Sequence, residues 1–491
     1  MSGEGTGVPV GGDGWETVVG LEVHCELLTA TKLFCGCRNA FGDDPNTNVC
    51  PVCLGLPGSL PVLNEQAVEL AMRIGTALHC EVRPSTFHRK NYFYPDMPKD
   101  YQISQYDEPI NVAGWLALPD GTRVGVTRAH IEEDTGKTTH VGEDGRIHSA
   151  EYSLVDYNRA GVPLVEIVSE PDLRSAVQAR AYAQELRAVL VATGASDGRM
   201  EEGSMRVDAN VSVRRAGSAA FGTRCEIKNL NSLRSLARAI EHEAERQVAL
   251  VEAGGTVVQE TRHWDEGAGR TVTMRSKEEA YDYRYFPEPD LVPLAPDAAW
   301  QARVAAGLGP MPAERRARLV GLLGGTATPA QEDQVSSAVD QGLDGLVAAA
   351  VDGGGPAPLA LARAANEVAA DVEAGRRLDP GAFTRLLAME AGGELSATQA
   401  KDVLADLLAA GGGDPAAIAR AKGFEAMGDD ALVEVVRQVV EANPAEWERY
   451  VAGDDGERKK LGGFFTGQVM KATGGKANGK AVAAALARLS G

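Results

Sequence analysis

From Ser204 to Arg214 the segment SMRVDANVSVR alternates strictly. A strand with this period puts Met205, Val207, Ala209, Val211 and Val213 on one face and Arg206, Asp208, Asn210 and Ser212 on the other. The segment VVGLEVHCEL repeats the pattern, with Val19, Leu21, Val23 and Cys25 inward and Glu22, His24 and Glu26 together on the opposite face. A helix is predicted after the strand CEIKN. Capped near Asn231 or Ser232, it runs through Leu233, Leu236, Ile240, Ala244 and Val248 and stops at Gly254-Gly255. Strands come in groups with helices interspersed irregularly, which predicts an α+β fold with a largely antiparallel sheet rather than a βαβ repeat.

The proline-rich stretch Tyr285 to Asp297 reads as a domain exit, because proline interrupts both helices and central strands. Helical periods with glycine stops follow it: Glu314 to Leu323, Pro358 to Val372 and Ala397 to Ala410. The run AAGGGDP, Ala409 to Pro415, marks a second boundary. The expected organisation is a first domain over residues 1–293, an all-α domain over 294–408 and a small helical tail over 409–491.

Composition sharpens this division. The 491 residues carry a net charge of −20, which argues against holding nucleic acid by bulk positive charge. Residues 301–491 hold 20 basic and 25 acidic residues, so most of the acidity lies in front, together with all eight histidines and all seven cysteines. No run of eighteen apolar residues occurs and the N-terminus lacks the features of a signal peptide, so a cytoplasmic location is expected. There the cysteines stay reduced, and a cluster of them points to metal rather than disulfides.

Such a cluster exists. Cys35 and Cys37 form a C-x-C and Cys50 and Cys53 a C-x-x-C, with a Gly, Asp, Pro and Asn loop between. Four thiolates on two turns suit tetrahedral, structural zinc; four reduced buried cysteines are the plainer alternative. A second constellation is acidic: Glu22 with His24; His130, Glu132, Glu133 and Asp134 in HIEEDTGK; Glu166 and Glu170; and Asp208. Glu166 sits in the apolar run VPLVEIV, where an unpaired carboxylate is costly, so a metal or an arginine partner is expected. Oxygen ligands with one imidazole fit magnesium or manganese in a phosphate-handling site. No Walker A or G-x-G-x-x-G motif is present, so any ATP binds on a sheet. FHRKNYFYPDMPKDYQISQY sets Lys90 and Lys99 among aromatics that read as a packed loop wall, the lysines suiting an anionic or acyl substrate at its rim. From Glu457 onward seven basic residues face that single acid, and they include Lys459, Lys460, Lys471, Lys476 and Lys480. This is either a solvated helix end or a local phosphate-contacting surface.

GLEVHCELLT, RKNYFYPDMPKDYQISQ, HIEEDTGKTTH, SLVDYNRAGVPLVEIVSEPD, MEEGSMRVDANVSVR, EIKNLNS and GQVMKATGGKANGK together resemble the B-subunit family, GatB, of the tRNA-dependent amidotransferase complex GatCAB, nearly end to end and in the same order. The resemblance implies a ligase that forms carbon-nitrogen bonds with glutamine as amide donor. Asp-tRNA(Asn), Glu-tRNA(Gln) or both would be activated by ATP at the side-chain carboxylate, and ammonia would then displace phosphate. The GatA amidase would release that ammonia, and GatC would complete a heterotrimer. It implies a cradle domain related in fold to glutamine synthetase, a helical domain and a YqeY-like tail whose basic residues contact tRNA. Glu22, His24, Glu133, Glu166 and Asp208 would hold magnesium, with Glu132 inseparable from Glu133 by sequence, and Glu22 and Glu166 would act in catalysis. Lys90 and Lys99 would line the ammonia route, while Arg159, Glu202, Arg206, Asn210 and Lys228 would contact nucleotide or acyl group. The Cys35, Cys37, Cys50 and Cys53 quartet would mark a zinc-bearing branch. A GatE-type enzyme would need an inserted domain that is missing. A nonenzymatic zinc-containing tRNA-binding scaffold would not need the acidic set.

Overall fold

In a computed structural model the described residues are 14–91, 93–142, 150–276, 283–424, 429–473, 477 and 479–490. The chain divides into two compact units between Met311 and Pro312.

The described strands of the front unit, in chain order, begin with β1 (Trp15–Glu26), β2 (Glu81–Val82), β3 (Thr86–Asn91), β4 (Tyr101–Glu108) and β5 (Asn111–Ala117). They continue with β6 (Arg123–Glu133), β7 (Lys137–Gly142), β8 (Ala150–Asp156), β9 (Pro163–Ser169) and β10 (Met205–Arg215). The last are β11 (Cys225–Leu230), β12 (Glu260–Asp265), β13 (Arg270–Ser276) and β14 (Phe286–Pro287). Twelve form one sheet in the order β13-β12-β11-β10-β1-β9-β6-β4-β3-β14, with β5 joining β6 to β2, while β7 and β8 pair separately. Every pairing is antiparallel except β11 with β12. That exception has a local cause: helix α3 (Leu233–Glu252) lies between the two strands in sequence, and a crossover helix returns the chain in the same direction. The unit is α+β with a largely antiparallel sheet, as the alternating segments predict.

The strand faces separate as the period of two requires. Val19, Leu21, Val23 and Cys25 of β1 and Met205, Val207, Ala209 and Val211 of β10 are buried in one core with Tyr182, Leu186 and Val189 of helix α2 (Ala176–Ala192) and Leu236, Ile240 and Ala244 of α3. Each fully buried valine or leucine side chain contributes about 1.5–3 kcal/mol. Glu22, His24 and Glu26 face the other way and are half-buried. The predicted α3 forms with Ser232 as its cap, the Oγ accepting from the Ser235 N–H at 3.0 Å, and Gly254 follows its end at φ +82°.

The proline-rich stretch does not release the chain where expected. Phe286 pairs with Arg89, and Ser85 and Leu294 exchange backbone hydrogen bonds of 2.8 Å. Val304, in the helix Ala298–Ala306, is buried in the front core. Residues 294–311 therefore pack with the front unit, not with the helices behind it. Edge pairing tolerates proline when the missing N–H faces away from the partner strand, and the apolar contacts beyond it hold the segment down.

The rear unit is all-α. One hydrophobic cluster gathers residues from Leu319 to Ala419 and a second gathers residues from Leu432 to Leu486. The helix expected over Pro358 to Val372 ends at Asn366. After one tight turn the Asp371 side chain accepts from the Ala374 N–H at 2.9 Å and starts a new helix, Val372–Arg377, because a capped N-terminus is better satisfied than a continued helix with Asp inside it. No described helix is long and apolar enough to cross a membrane.

Candidate active site

Four neighbouring strands, β10, β1, β9 and β6, carry the polar groups of the cradle face. Register brings them together. Glu22 lies opposite Asp208, His24 opposite both Arg206 and Glu166, and Glu166 also opposite His130. Directly opposed residues of antiparallel strands share a face with Cβ atoms about 4.5–5.5 Å apart, so residues far apart in sequence become one cluster.

At its centre one donor atom each from His24, Glu132 and Glu166 lies within 4.8 Å of the others. His24 Nε2 is 3.6 Å from Glu132 Oε1 and 3.6 Å from Glu166 Oε2. Burial disfavours the imidazolium, but Glu166 and Glu132 outweigh it and lift His24 to about 9. Burial disfavours the Glu166 carboxylate too, yet His24 and His130 hold it well below the usual carboxylate range. Arg128 Nη2 stands 3.4 Å from its Oε1. Two carboxylates and an imidazole form a donor set that fits a magnesium or manganese ion.

The structure separates the adjacent glutamates. On β6, Glu132 turns toward the two histidines, whereas Glu133 on the other side accepts from Lys99 Nζ at 2.5 and 2.6 Å and from the Ile103 N–H at 3.0 Å. Glu133 is thus a partner of Lys99 rather than a member of the three-donor group. Lys99 also lies over the Tyr101 ring, 5.2 Å from its centroid, while Lys90 lies over Tyr283 at 4.8 Å.

Glu22 and Asp208 stand beside the group but are engaged otherwise. Glu22 Oε1 accepts from Asn210 Nδ2 at 2.9 Å, and burial with the nearby Glu166 raises its pKa. Lys228 Nζ reaches Asp208 Oδ2 at 2.9 Å and Glu226 Oε1 at 3.0 Å. Burial works against that ammonium, but the two acids hold it above the ordinary lysine range. A cavity of about 480 Å³ opens here, lined among others by Gly20, Glu22, Ser169, Asn210, Phe221 and Arg224.

Arg159 and Arg206 converge on Asp134, Nε at 3.4 Å and Nη2 at 2.8 Å respectively. Burial and Asp134 together raise the neighbouring Glu26 to about 7. Glu202 pairs instead with Arg199 at 2.7 Å on a partly exposed turn and does not line the cavity.

Cys35, Cys37, Cys50 and Cys53 gather with their sulfurs within 4.8 Å of one another. The Cys35 thiol lowers Cys53 to about 5, with the Cys50 backbone and the buried Lys32 acting in the same direction against burial. In the rear unit, Lys459, Lys460 and Lys471 are exposed on the helix Asp455–Ala472 and Lys480 lies in the helix Gly479–Leu489, while Lys476 is outside the described residues. His130 is a cluster member that the expected ligand set omits. Its signal was present in sequence, since it stands two residues before Glu132 and shares its strand face.

Residues 17–302 match the model of the GatB/GatE catalytic domain and residues 357–489 that of the GatB domain. The chain belongs to the GatB family. The B subunit of an aspartyl/glutamyl-tRNA(Asn/Gln) amidotransferase from Frankia casuarinae is 50% identical over 484 residues, covering 95% of this chain and 94% of the relative. Proteins of the same name from Moorella thermoacetica and Anaeromyxobacter dehalogenans are 50% and 49% identical, covering 94% and 97% of this chain and 97% and 99% of those relatives.

Proposed function

We propose that this chain is the kinase and transamidase component of a glutamine-dependent aminoacyl-tRNA amidotransferase, a ligase that converts Asp-tRNA(Asn), Glu-tRNA(Gln) or both to the amidated forms. The observation that carries the reading is the His24, Glu132 and Glu166 donor group on the same sheet face as the cavity bounded by Glu22 and Asn210.

A side-chain carboxylate is a poor electrophile until its oxygen becomes part of a leaving group. Phosphorylation by ATP supplies this, and ammonia then expels phosphate to leave the amide. A magnesium ion held by His24, Glu132 and Glu166 would offset the negative charge that gathers during phosphoryl transfer. The cavity offers Gly20 and Ser169 for close approach and Arg224 for an anionic group, so it is the candidate nucleotide pocket. Asn210 holds Glu22 at its wall, and Lys228 is a fixed cation next to it. Glu133 holds the Lys99 amine in place, and the pair offers a proton donor and a proton acceptor beside the route by which ammonia arrives. Arg159 and Arg206, gathered around Asp134, are placed to receive an anionic part of the acyl substrate once one of them is released.

In this reading GatA supplies ammonia from glutamine, GatC completes the heterotrimer, the four cysteines hold structural zinc, and Lys459, Lys460, Lys471, Lys476 and Lys480 of the tail touch tRNA. The work is cytoplasmic, where the thiols stay reduced. A front catalytic domain, a helical domain and a tail are supported by the three separate hydrophobic clusters.

The test is reconstitution of the full chain with its amidase and small partners, ATP, magnesium and each mischarged tRNA, following ADP and amidated product. ADP and amide form together with the wild type and neither forms with Glu166→Ala. ATP turnover that survives Glu166→Ala overturns the site. Amide formation without ATP consumption, or tRNA binding with no turnover at all, favours the scaffold reading.

A further inference from the structure

His130 is fully buried on β6, and neither of its ring nitrogens has a hydrogen-bond partner. A buried imidazole that satisfies nothing is unusual, since most buried polar side-chain atoms find a partner. Its surroundings are not apolar. Nε2 lies 3.7 Å from Glu132 Oε2 and 3.7 Å from Glu166 Oε2, and the Tyr106 ring stands edge-on to the imidazole with centroids 6.3 Å apart.

The way the carboxylates divide their oxygens is informative. Glu132 turns Oε1 toward His24 and Oε2 toward His130. Glu166 turns Oε2 toward both histidines and Oε1 toward Arg128. The compact donor set consists of His24, Glu132 and Glu166 and does not include His130.

We propose that His130 is the positioning residue of the metal site: its Nε2–H donates to the Glu132 and Glu166 carboxylates and holds them in the orientation that grips the ion. This rests on the metal reading above and goes beyond its ligand list. At 3.7 Å the contact is too long for a hydrogen bond, and a closure of about 0.7 Å brings it into range. Partners that orient metal ligands in this way are worth about 10–100-fold in metal affinity, because each ligand otherwise wanders among rotamers.

The probe is Mn2+ alone, titrated into the full chain and followed by electron paramagnetic resonance and calorimetry. His130→Phe keeps the buried ring and its packing on Tyr106 but removes the donor, and is expected to weaken Mn2+ binding about 10–100-fold. His130→Gln, whose amide nitrogen reaches close to Nε2, is expected to stay within about threefold of wild type. Nitrogen couplings in the Mn2+ spectrum should report one bound imidazole, which His24→Ala removes and His130→Phe leaves. Unchanged affinity in His130→Phe, or loss of a nitrogen coupling in that variant, overturns the proposal. If His130→Phe does not fold, the wild-type spectrum and His130→Gln still decide, since two bound imidazoles or a fully weakened Gln variant contradict it. Absence of Mn2+ binding in the wild type overturns the metal reading itself, whereas binding that Glu166→Gln abolishes and His130→Phe does not touch sinks this inference alone.

Discussion

Glu166 stands opposite His24 across the β1–β9 pair, its Oε2 3.6 Å from the imidazole Nε2. The pair explains how each group tolerates partial burial: the carboxylate charges the imidazole, and the imidazole keeps the carboxylate ionised. It also sets a competition, because a histidine that ligates metal must first give up its proton.

That competition has a sign. His24 is raised from 6.5 to about 9, so near neutral pH the ion-free site carries a proton that a divalent cation must displace. Mn2+ affinity is expected to rise about tenfold per pH unit through the neutral range and to level off near pH 9, with about one proton released per ion at pH 7. The ion-free fold behaves oppositely: stabilisation by the protonated imidazole is complete below pH 6.5 and fades as pH rises through about 9. Calorimetry in buffers of different ionisation enthalpy measures the released proton, and His24→Asn should abolish it. Affinity independent of pH between 6 and 8 would show that His24 is not displaced.

Gly55 packs closely against the stem of Lys99, whose amine pairs with Glu133. It has φ +66°, and a Cβ there would lie 2.6 Å from Lys99 Cγ and 3.0 Å from Lys99 Cα. Gly55→Ala combines left-handed strain with overlap against backbone, about 2–3 kcal/mol together. A lower melting temperature is expected, with amide formation reduced while ADP binding at the cavity is retained. Full amide formation in this variant would show that Lys99 needs no fixed stem.

The cysteine quartet should bind about one zinc per chain in protein purified without chelator. Cys50→Ser is expected to reduce this below half an equivalent and to lower the thermal midpoint, because metal binding energy becomes folding energy when the ligands gather only in the folded chain. Elemental analysis beside a melting curve checks both. Zinc content unchanged by Cys50→Ser would remove the assignment.

In the rear unit the Arg363 guanidinium donates to Glu390, Nε to Oε2 at 2.9 Å, and both side chains are largely buried. Glu390→Ala removes one of the two carboxylates paired with Arg363, leaving Glu367 at 3.2 Å and the Ala397 carbonyl at 3.0 Å, and should cost the helical unit about 1–3 kcal/mol. The double change Arg363→Met with Glu390→Leu should recover most of this, since it removes both charges. Chemical denaturation of the full chain measures the difference, and Mn2+ binding in the front unit should not change.

Much of the fold was legible because strand alternation is a local property. The faces of β1 and β10, the Ser232 cap of α3 and the all-α character of the rear follow from residues within a few positions of one another. The Arg363–Glu390 pair and the stop at Asn366 were less visible, the first because its partners lie 27 residues apart, the second because Asp371 competes as a new cap.

Sequence by itself determined which residues share a strand face and which residue types, four cysteines and a ring of carboxylates with histidine, were available for metal. Tertiary structure alone decided who meets whom. The pairing of β6 with β9 and of β9 with β1 sets Glu132, not Glu133, beside His24 and Glu166. The same packing gives Glu133 to Lys99 and Asp208 to Lys228, leaves His130 without a hydrogen bond, and keeps residues 294–311 with the sheet. The physical reason is that the period of two is written into each strand, whereas register is chosen by which apolar faces fit the common core, and that choice depends on the whole unit at once.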